Sequence, residues 1–325
     1  MKYVRWDIPD KGPEIPPELL RAGCTPLLAA LLAGRGMSAP GEAARFLNAG
    51  EEELCDPMLL PDMPQAAARL RLAVGRGERV AVFGDYDVDG ITSACMMTLY
   101  LRSKGLKCEP YIPDRLEEGY GLNMAAIDTL AAHGAQLIVT VDCGITAREE
   151  ARHAKELGID MIITDHHECG SGSLPEAVAV VDPKRPDSAY PNPGLAGVGV
   201  AFKLLCAVEG AAGKVLDEYA DLIAAGTVAD VMPLTGENRY IVRRGLKMLE
   251  NPERAGIRAL LNECGASGRR LNAATIGFTL APRLNAAGRL GRTDSAVRLL
   301  LTSDEEDASN WAAVLCQLNR HRPEL

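Results

Sequence analysis

The sequence predicts an α/β protein built on a mostly parallel, doubly wound sheet, with a helical lead-in before it and a mainly helical extension after it. Three observations carry this prediction. From Val80 to Val181, short apolar and β-branched runs alternate with longer runs rich in Ala, Leu and Met, the pattern of strand and helix in turn. Acidic residues or imidazoles stand directly after three of these strands. Clusters of proline and glycine bound the block on both sides.

Residues 1–75 form the expected lead-in. Apolar residues recur from Pro17 to Leu32, the stretch 34–40 interrupts them, and a short helix resumes from Glu42 to Phe46; Pro57, Pro61 and Pro64 then punctuate a connector before Ala66–Val74. Nothing in it carries chemistry, so it is expected to pack. Residues 76–235 are the catalytic-type α/β domain. Val80–Phe83 leads into Gly84, then Asp85, Asp87, Asp89 and Gly90, and a long apolar run follows: strand, acidic loop, helix. Cys108–Ile112 is a second strand ended by Pro113, Met124–His133 a helix stopped by Gly134, and Gln136–Val141 a third strand. Ala147, Ala151, Ala154 and Leu157 recur at helical spacing before Gly158. Met161–Thr164 and Ala177–Val181 complete five strands. A helix is expected from Asp217 to Ala225, ending at Gly226. Residues 236–325 read as helical over Asn238–Leu249, Ile257–Glu263, Ala296–Leu301 and from Glu305 onward.

Parallel strands place their carboxyl ends along one sheet edge, where ligands bind in such folds. Asp85, Asp87 and Asp89 follow the first strand, Asp142-Cys143-Gly144 the third, and Asp165-His166-His167-Glu168 the fourth. Surface charge alone has no reason to gather there. Three carboxylates within five residues repel one another unless a cation binds between them. An isolated D-x-D-x-D is otherwise a solvated acidic turn. The calcium loop that opens with D-x-D-x-D-G is excluded, because its twelfth position requires Glu and here holds Met96, and a helix rather than a strand should precede it.

The 325 residues suffice for more than one domain and a sizeable core. No apolar run reaches the roughly 18 residues of a membrane span, and the opening residues lack the basic-then-apolar form of a signal peptide, so a cytoplasmic location with no membrane association is expected. Nine cysteines, scattered and without a C-x-x-C pair, suit reduced core thiols better than a disulfide frame or a zinc ribbon. A net charge of -9 and 4% aromatics run against a broad polyanion-binding surface. A polyanionic substrate would need local cations and bound metal.

Carboxylates with neutral imidazoles suit manganese, magnesium or iron rather than structural zinc. A carboxylate bridging two ions would hold them roughly 3.5–4 Å apart, the spacing that splits phosphate esters. His133 and His153 sit in helical stretches and read as surface or packing residues, whereas His166 and His167 directly after a strand read as ligands. Asp165 and Glu168 are candidates for orienting those imidazoles by hydrogen bonds. Three further segments are weaker signals. The glycines of 194–199, Gly197 among them, open an apolar helix and could bring backbone N–H groups to a phosphate, although tight packing explains them equally well. Asp230 in GTVADVMPL is usual as a cap and gains interest from its company. The segment 282–292, with Arg283, Arg289 and Arg292 among small residues, reads as a cationic loop able to clamp phosphates, or as a solvated turn.

GDYDVDG, VDCG, DHHE and the AD of GTVADVMPL, in this order, resemble the DHH phosphoesterases. PDRLEEGYGLN, GLAGVGVAFKL, PRLNAAGRLG and FLNAGEEELCDPMLLPDM are similar to the RecJ-like subgroup of that family, which are bacterial 5′-to-3′ exonucleases specific for single-stranded DNA. The resemblance spans almost the whole chain. It implies Asp85, Asp87, Asp89, Asp142, His166 and Asp230 as ligands of one or two Mn2+ or Mg2+ ions, with Asp142 bridging. It implies His167 contacting the scissile phosphate or assisting proton transfer. It also implies Arg115, Arg283, Asn285 and Arg289 on substrate phosphates. Single-stranded DNA is the implied partner, with a single-strand-binding protein and a helicase as candidates, in DNA repair and recombination; a monomer is expected. Members of the subgroup continue into a DHH-associated domain and an OB-fold, so a catalytic core is expected here. Two other functions are open: a phosphodiesterase acting on short oligonucleotides, cyclic dinucleotides or pyrophosphate, and a scaffold without catalysis. The subgroup-like segments disfavour the first, and the complete set of ligand positions disfavours the second.

Overall fold

The computed structural model describes residues 14–114, 118–119, 121–289 and 293–320, with the side chain of residue 289 left out. They fall into two compact units, one running to Leu54 and one from Cys55 onward. The first unit holds three short helices, Pro17–Arg21, Pro26–Ala33 and Pro40–Asn48, each opened by a proline. Proline suits a first turn, where its missing N–H would have had no partner. Leu19, Ala29, Leu32 and Ala43 close a small core.

In the second unit five parallel strands are ordered β2-β1-β3-β4-β5: β1 (Val80–Gly84), β2 (Cys108–Tyr111), β3 (Leu137–Val141), β4 (Asp160–Thr164) and β5 (Ala179–Val181). Strand order reverses between β1 and β3, the switch point at which such sheets open a crevice. Side chains alternate between the two faces. Ala81, Phe83, Ile138 and Ile163 point to helices Met124–Ala132 and Arg148–Glu156. The opposite face is covered by helices Met63–Arg76, Val88–Ser103 and Gly197–Glu209. Helix Ala212–Ala229 packs outside Val88–Ser103, and the chain continues through helices Gly236–Glu250, Ala255–Glu263, Ala281–Arg289, Thr293–Leu301 and Glu305–Arg320.

The register fixes the site. Gly84 pairs with Val141, Val141 with Thr164, and Thr164 with Val181, so four strands end flush. The next residue in each is an aspartate: Asp85, Asp142, Asp165 and Asp182.

Three elements differ from the sequence expectation. The helix after β1 begins at Val88, because Asp87 caps it by accepting from Gly90 N at 3.0 Å, which puts Asp89 in the first turn and not in a preceding loop. Helix Ala212–Ala229 runs through Gly226 instead of ending there; a Cβ at this position would lie 2.6 Å from Thr92 Oγ1 and 2.8 Å from Asp89 Oδ1, so the glycine allows close packing rather than a stop. The segment from Pro282 to Arg289 is helical and not a loop. Pro282 lacks an N–H, and the wider π turn Ile276–Leu280 just before it absorbs that break in the ladder. Residues 290–292 lie outside the described residues. No helix among the described residues is long and apolar enough to cross a membrane.

Candidate metal centre

The C-terminal edge of the sheet gathers the predicted ligands. Three groups each have ligand atoms within 4.8 Å of one another: Asp85, Asp87 and Asp142; Asp89, His166 and Asp230; Asp142, His166 and His167. Asp142 and His166 each belong to two groups. His166 Nε2 lies 3.1 Å from Asp142 Oδ1, 3.6 Å from Asp230 Oδ2 and 3.8 Å from Asp89 Oδ2.

Each side chain is aimed by its local backbone. Asp142 leaves β3 in the left-handed region at φ 62, a conformation Asp tolerates better than most residues, and its N–H donates to Thr164 O at 3.0 Å. Asp165 accepts on Oδ1 from the N–H groups of His166 (2.7 Å) and His167 (3.2 Å) and lies 2.7 Å from His167 Nδ1, while Oδ2 accepts from Ile145 N at 2.8 Å. It thus sets the backbone of the two histidines and the ring of one. Glu168 does not orient them; its side chain is 85% exposed and 3.7 Å from Lys184 Nζ. His133 caps the end of its helix, and His153 pairs with Asp128.

Asp89 accepts from Gly197 N at 2.6 Å and Val198 N at 2.9 Å. The helix N-terminus offered as a phosphate cradle therefore holds a candidate ligand carboxylate. Gly197 is needed there because a Cβ would sit 2.5 Å from Asp142 Cβ. Asn285 Oδ1 accepts from Val88 N at 3.2 Å and so steadies the acidic loop. Its neighbour Gly288 packs where a Cβ would collide with the Tyr86 carbonyl oxygen. Arg283, half-buried, donates from Nη1 to Thr279 O at 2.6 Å, and its Nε has no hydrogen-bond partner. Arg115 and the side chain of Arg289 lie outside the described residues.

Burial and mutual repulsion dominate the electrostatics. Burial, then Asp87, pushes Asp85 up to about 7 and Asp230 up to about 6. Asp89 and Asp142, fully enclosed and beside other carboxylates, are held well above the ordinary range. Burial and neighbouring His167 bring His166 down to about 4, keeping it a neutral donor of a lone pair. The hydrogen bond to Asp165 raises His167, and despite burial that same bond lowers Asp165. Asp85 Oδ1, Asp142 Oδ1 and Asp230 Oδ2 are buried without hydrogen-bond partners. So many orphaned acceptors in one place are costly unless a cation satisfies them, and this donor set of oxygens with imidazole fits a hard or borderline divalent ion.

The sequence reading missed two groups. Asp182, fully buried at the end of β5, completes the aspartate row; its signal was the register, which short strands hide. Lys203, Glu237 and Asn238, also buried, join the segments around Gly197 and Asp230. A lysine inside the apolar run GVGVAFKLLC was the available clue.

Fold and site together define a parallel α/β protein with a carboxylate–imidazole centre for divalent metal at its switch point. Residues 79–227 match the family model described as DHH family, N-terminal domain. The chain is 43% identical to the single-stranded-DNA-specific exonuclease RecJ of Bacillus subtilis over 99% of this chain and 41% of the relative, and 41% identical to that of Thermus thermophilus over 85% of this chain and 41% of the relative. Among solved structures it is similar to an exonuclease RecJ bound to manganese (TM-score 0.72, 41% identity, 80% of this chain and 66% of the other). It is also similar to Thermus thermophilus RecJ in complex with Mn2+ (TM-score 0.79, 35% identity, 93% and 43%). The chain thus spans less than half the length of the two curated relatives named above.

Proposed function

We propose that this chain hydrolyses single-stranded DNA from its 5′ end to 5′-mononucleotides, using Mn2+ or Mg2+ held by Asp85, Asp87, Asp89, Asp142, His166 and Asp230. One observation carries the reading: Asp142 and His166 are each shared between candidate ligand groups, so the three groups form one continuous centre. An ion bound there would supply Lewis acidity, lowering the pKa of a water and offsetting charge on phosphoryl oxygens. The chain's own residues do the rest. Asp165 holds the His167 ring at 2.7 Å and favours its imidazolium, which would donate a hydrogen bond to a phosphoryl oxygen and stabilise charge there. Asp85, lifted to about 7 by burial, would release its proton when a cation is taken up. Arg115, Arg283 and Arg289 are the proposed phosphate holders, and Asn285 serves the loop rather than the substrate.

The similarity to exonucleases named as specific for single-stranded DNA supports single-stranded DNA as the substrate. A cytoplasmic monomer acting in DNA repair and recombination, engaging a single-strand-binding protein and a helicase, goes with this reading. The test is digestion of 5′-labelled and 3′-labelled single strands with Mn2+. Release of labelled mononucleotide first from the 5′ end is expected. Rates on dinucleotides exceeding those on long strands would move the assignment to a small phosphodiesterase, and no cleavage by the chain or by a longer version containing it would remove it.

A further inference from the structure

Two segments from outside the sheet hold or supply carboxylates of the centre. The first turn of helix Gly197–Glu209 delivers the N–H groups that hold Asp89. The segment after helix Ala212–Ala229 delivers Asp230, and it turns at Val231 with φ 59, a conformation a β-branched residue keeps only under outside restraint. One buried amide touches both. Asn238 Nδ2 donates to Gly194 O at 2.6 Å and to Pro233 O at 3.1 Å, three residues before Gly197 and three after Asp230.

Asn238 is itself fixed by a buried polar network. Asn192 Nδ2 donates to Asn238 Oδ1 at 3.3 Å and to Glu237 Oε1 at 3.1 Å, and Asn192 Oδ1 accepts from Gly194 N at 3.1 Å. Glu237 accepts from Tyr190 OH at 2.9 Å and pairs with Lys203 Nζ at 2.6 Å, and Lys203 also donates to Cys55 O at 2.9 Å. Lys203, Glu237 and Asn238 are each 2% exposed or less. A charged network of this kind, fully satisfied in a low-dielectric interior, holds its geometry tightly.

We propose that Asn238 is a positioning residue for the metal centre: by clamping the Gly194 and Pro233 carbonyls to one amide, it fixes the placement of Asp89 relative to Asp230 about His166. The inference rests on the metal reading above. If Asn238 merely bound helices together, its loss would reduce the folded fraction and leave the affinity of folded molecules unchanged. A positioning role changes that affinity, as loss of groups that orient ligands does by roughly 10- to 100-fold.

The experiment measures Mn2+ binding by calorimetry on the 325-residue chain and its variants, with circular dichroism for folding. Asn238→Ala is expected to raise the Mn2+ dissociation constant at least about 10-fold with the number of sites per folded chain unchanged. Where wild type cleaves DNA, the half-saturating Mn2+ concentration should rise by the same factor while kcat at saturating Mn2+ stays within about threefold. Asn238→Asp keeps the size and the acceptor for Asn192 but sets an oxygen against both carbonyls, and should weaken binding further. A folded Asn238→Ala or Asn238→Asp with affinity within twofold of wild type overturns the proposal. Failure of both variants to fold also overturns it, because the residue is then a determinant of the fold. A wild-type chain that takes up no Mn2+ refutes the metal reading itself, a result distinct from either.

Discussion

Gly197→Ala tests the close approach on which the centre is built. The added Cβ would sit 2.5 Å from Asp142 Cβ, 2.6 Å from its Oδ1 and 2.7 Å from its Cα, about 1 Å inside van der Waals contact. Asp142 cannot retreat cheaply, because its N–H is spent on Thr164 O and its backbone is already left-handed. The start of helix Gly197–Glu209 must withdraw, stretching the 2.6 Å and 2.9 Å bonds to Asp89. Overpacking costs about 1–3 kcal/mol, and a hydrogen bond to a charged group is worth about 1.5–3 kcal/mol. A net loss of about 3 kcal/mol should lower Tm by roughly 4–5 °C in a chain of this length and weaken Mn2+ binding about 100-fold if it falls on the metal-bound state. Thermal melts with and without Mn2+ check the first figure and calorimetry the second. Gly75→Ala is the control: it lies within helix Met63–Arg76 with no heavy atom within 4 Å of the added Cβ, and should stabilise by about 0.5–1 kcal/mol. A Gly197→Ala chain melting within 2 °C of wild type and binding Mn2+ within about twofold would refute the packing argument.

Asp142→Asn should abolish cleavage and the rise in Tm that saturating Mn2+ produces, about 2.7 kcal/mol at 100 times the dissociation constant, while the metal-free chain melts no lower than wild type, since a repelled buried carboxylate has gone. Asp182 gives the pH dependence: burial lifts it to about 7, with Oδ1 accepting from Lys184 N at 2.7 Å and Oδ2 unpartnered. A raised folded pKa means its stability contribution is whole below the ordinary value of 3.8 and is lost as pH rises through about 7. Asp182→Asn should therefore exceed wild type by about 1–3 kcal/mol at pH 8 and by little at pH 4 in denaturant titrations. Lys203→Met should cost about 3–5 kcal/mol by stranding Glu237 in the core, and Lys203→Met with Glu237→Leu should recover most of it; a double variant as unstable as the single one would contradict the ion-pair account.

Much of this molecule is legible in its sequence, and the exceptions have physical causes. Five strands and the acidic edge follow from the apolar runs and from what comes after each. The onset of the helix at Val88 does not, because a side-chain cap by Asp87 outweighs the polar look of the DVD segment. Nor does the helix through Arg283, since Pro282 signals a break that the π turn absorbs. Glycine was the most ambiguous letter: Gly226 and Gly197 look like a stop and a phosphate loop, yet each is small because a carboxylate stands where its side chain would be. Which N–H meets which carboxylate is tertiary information, and so is the tie between Asn238 and two distant turns.

The seat of Gly288 on the Tyr86 carbonyl has a mechanical consequence. The helix that bears Arg283 rests directly on the main chain of the acidic loop, with Asn285 latched to its next turn, so no slack separates the two. A shift of that helix toward the loop would press on the Tyr86 carbonyl between Asp85 and Asp87, so the two carboxylates and the arm that carries Arg283 share one support.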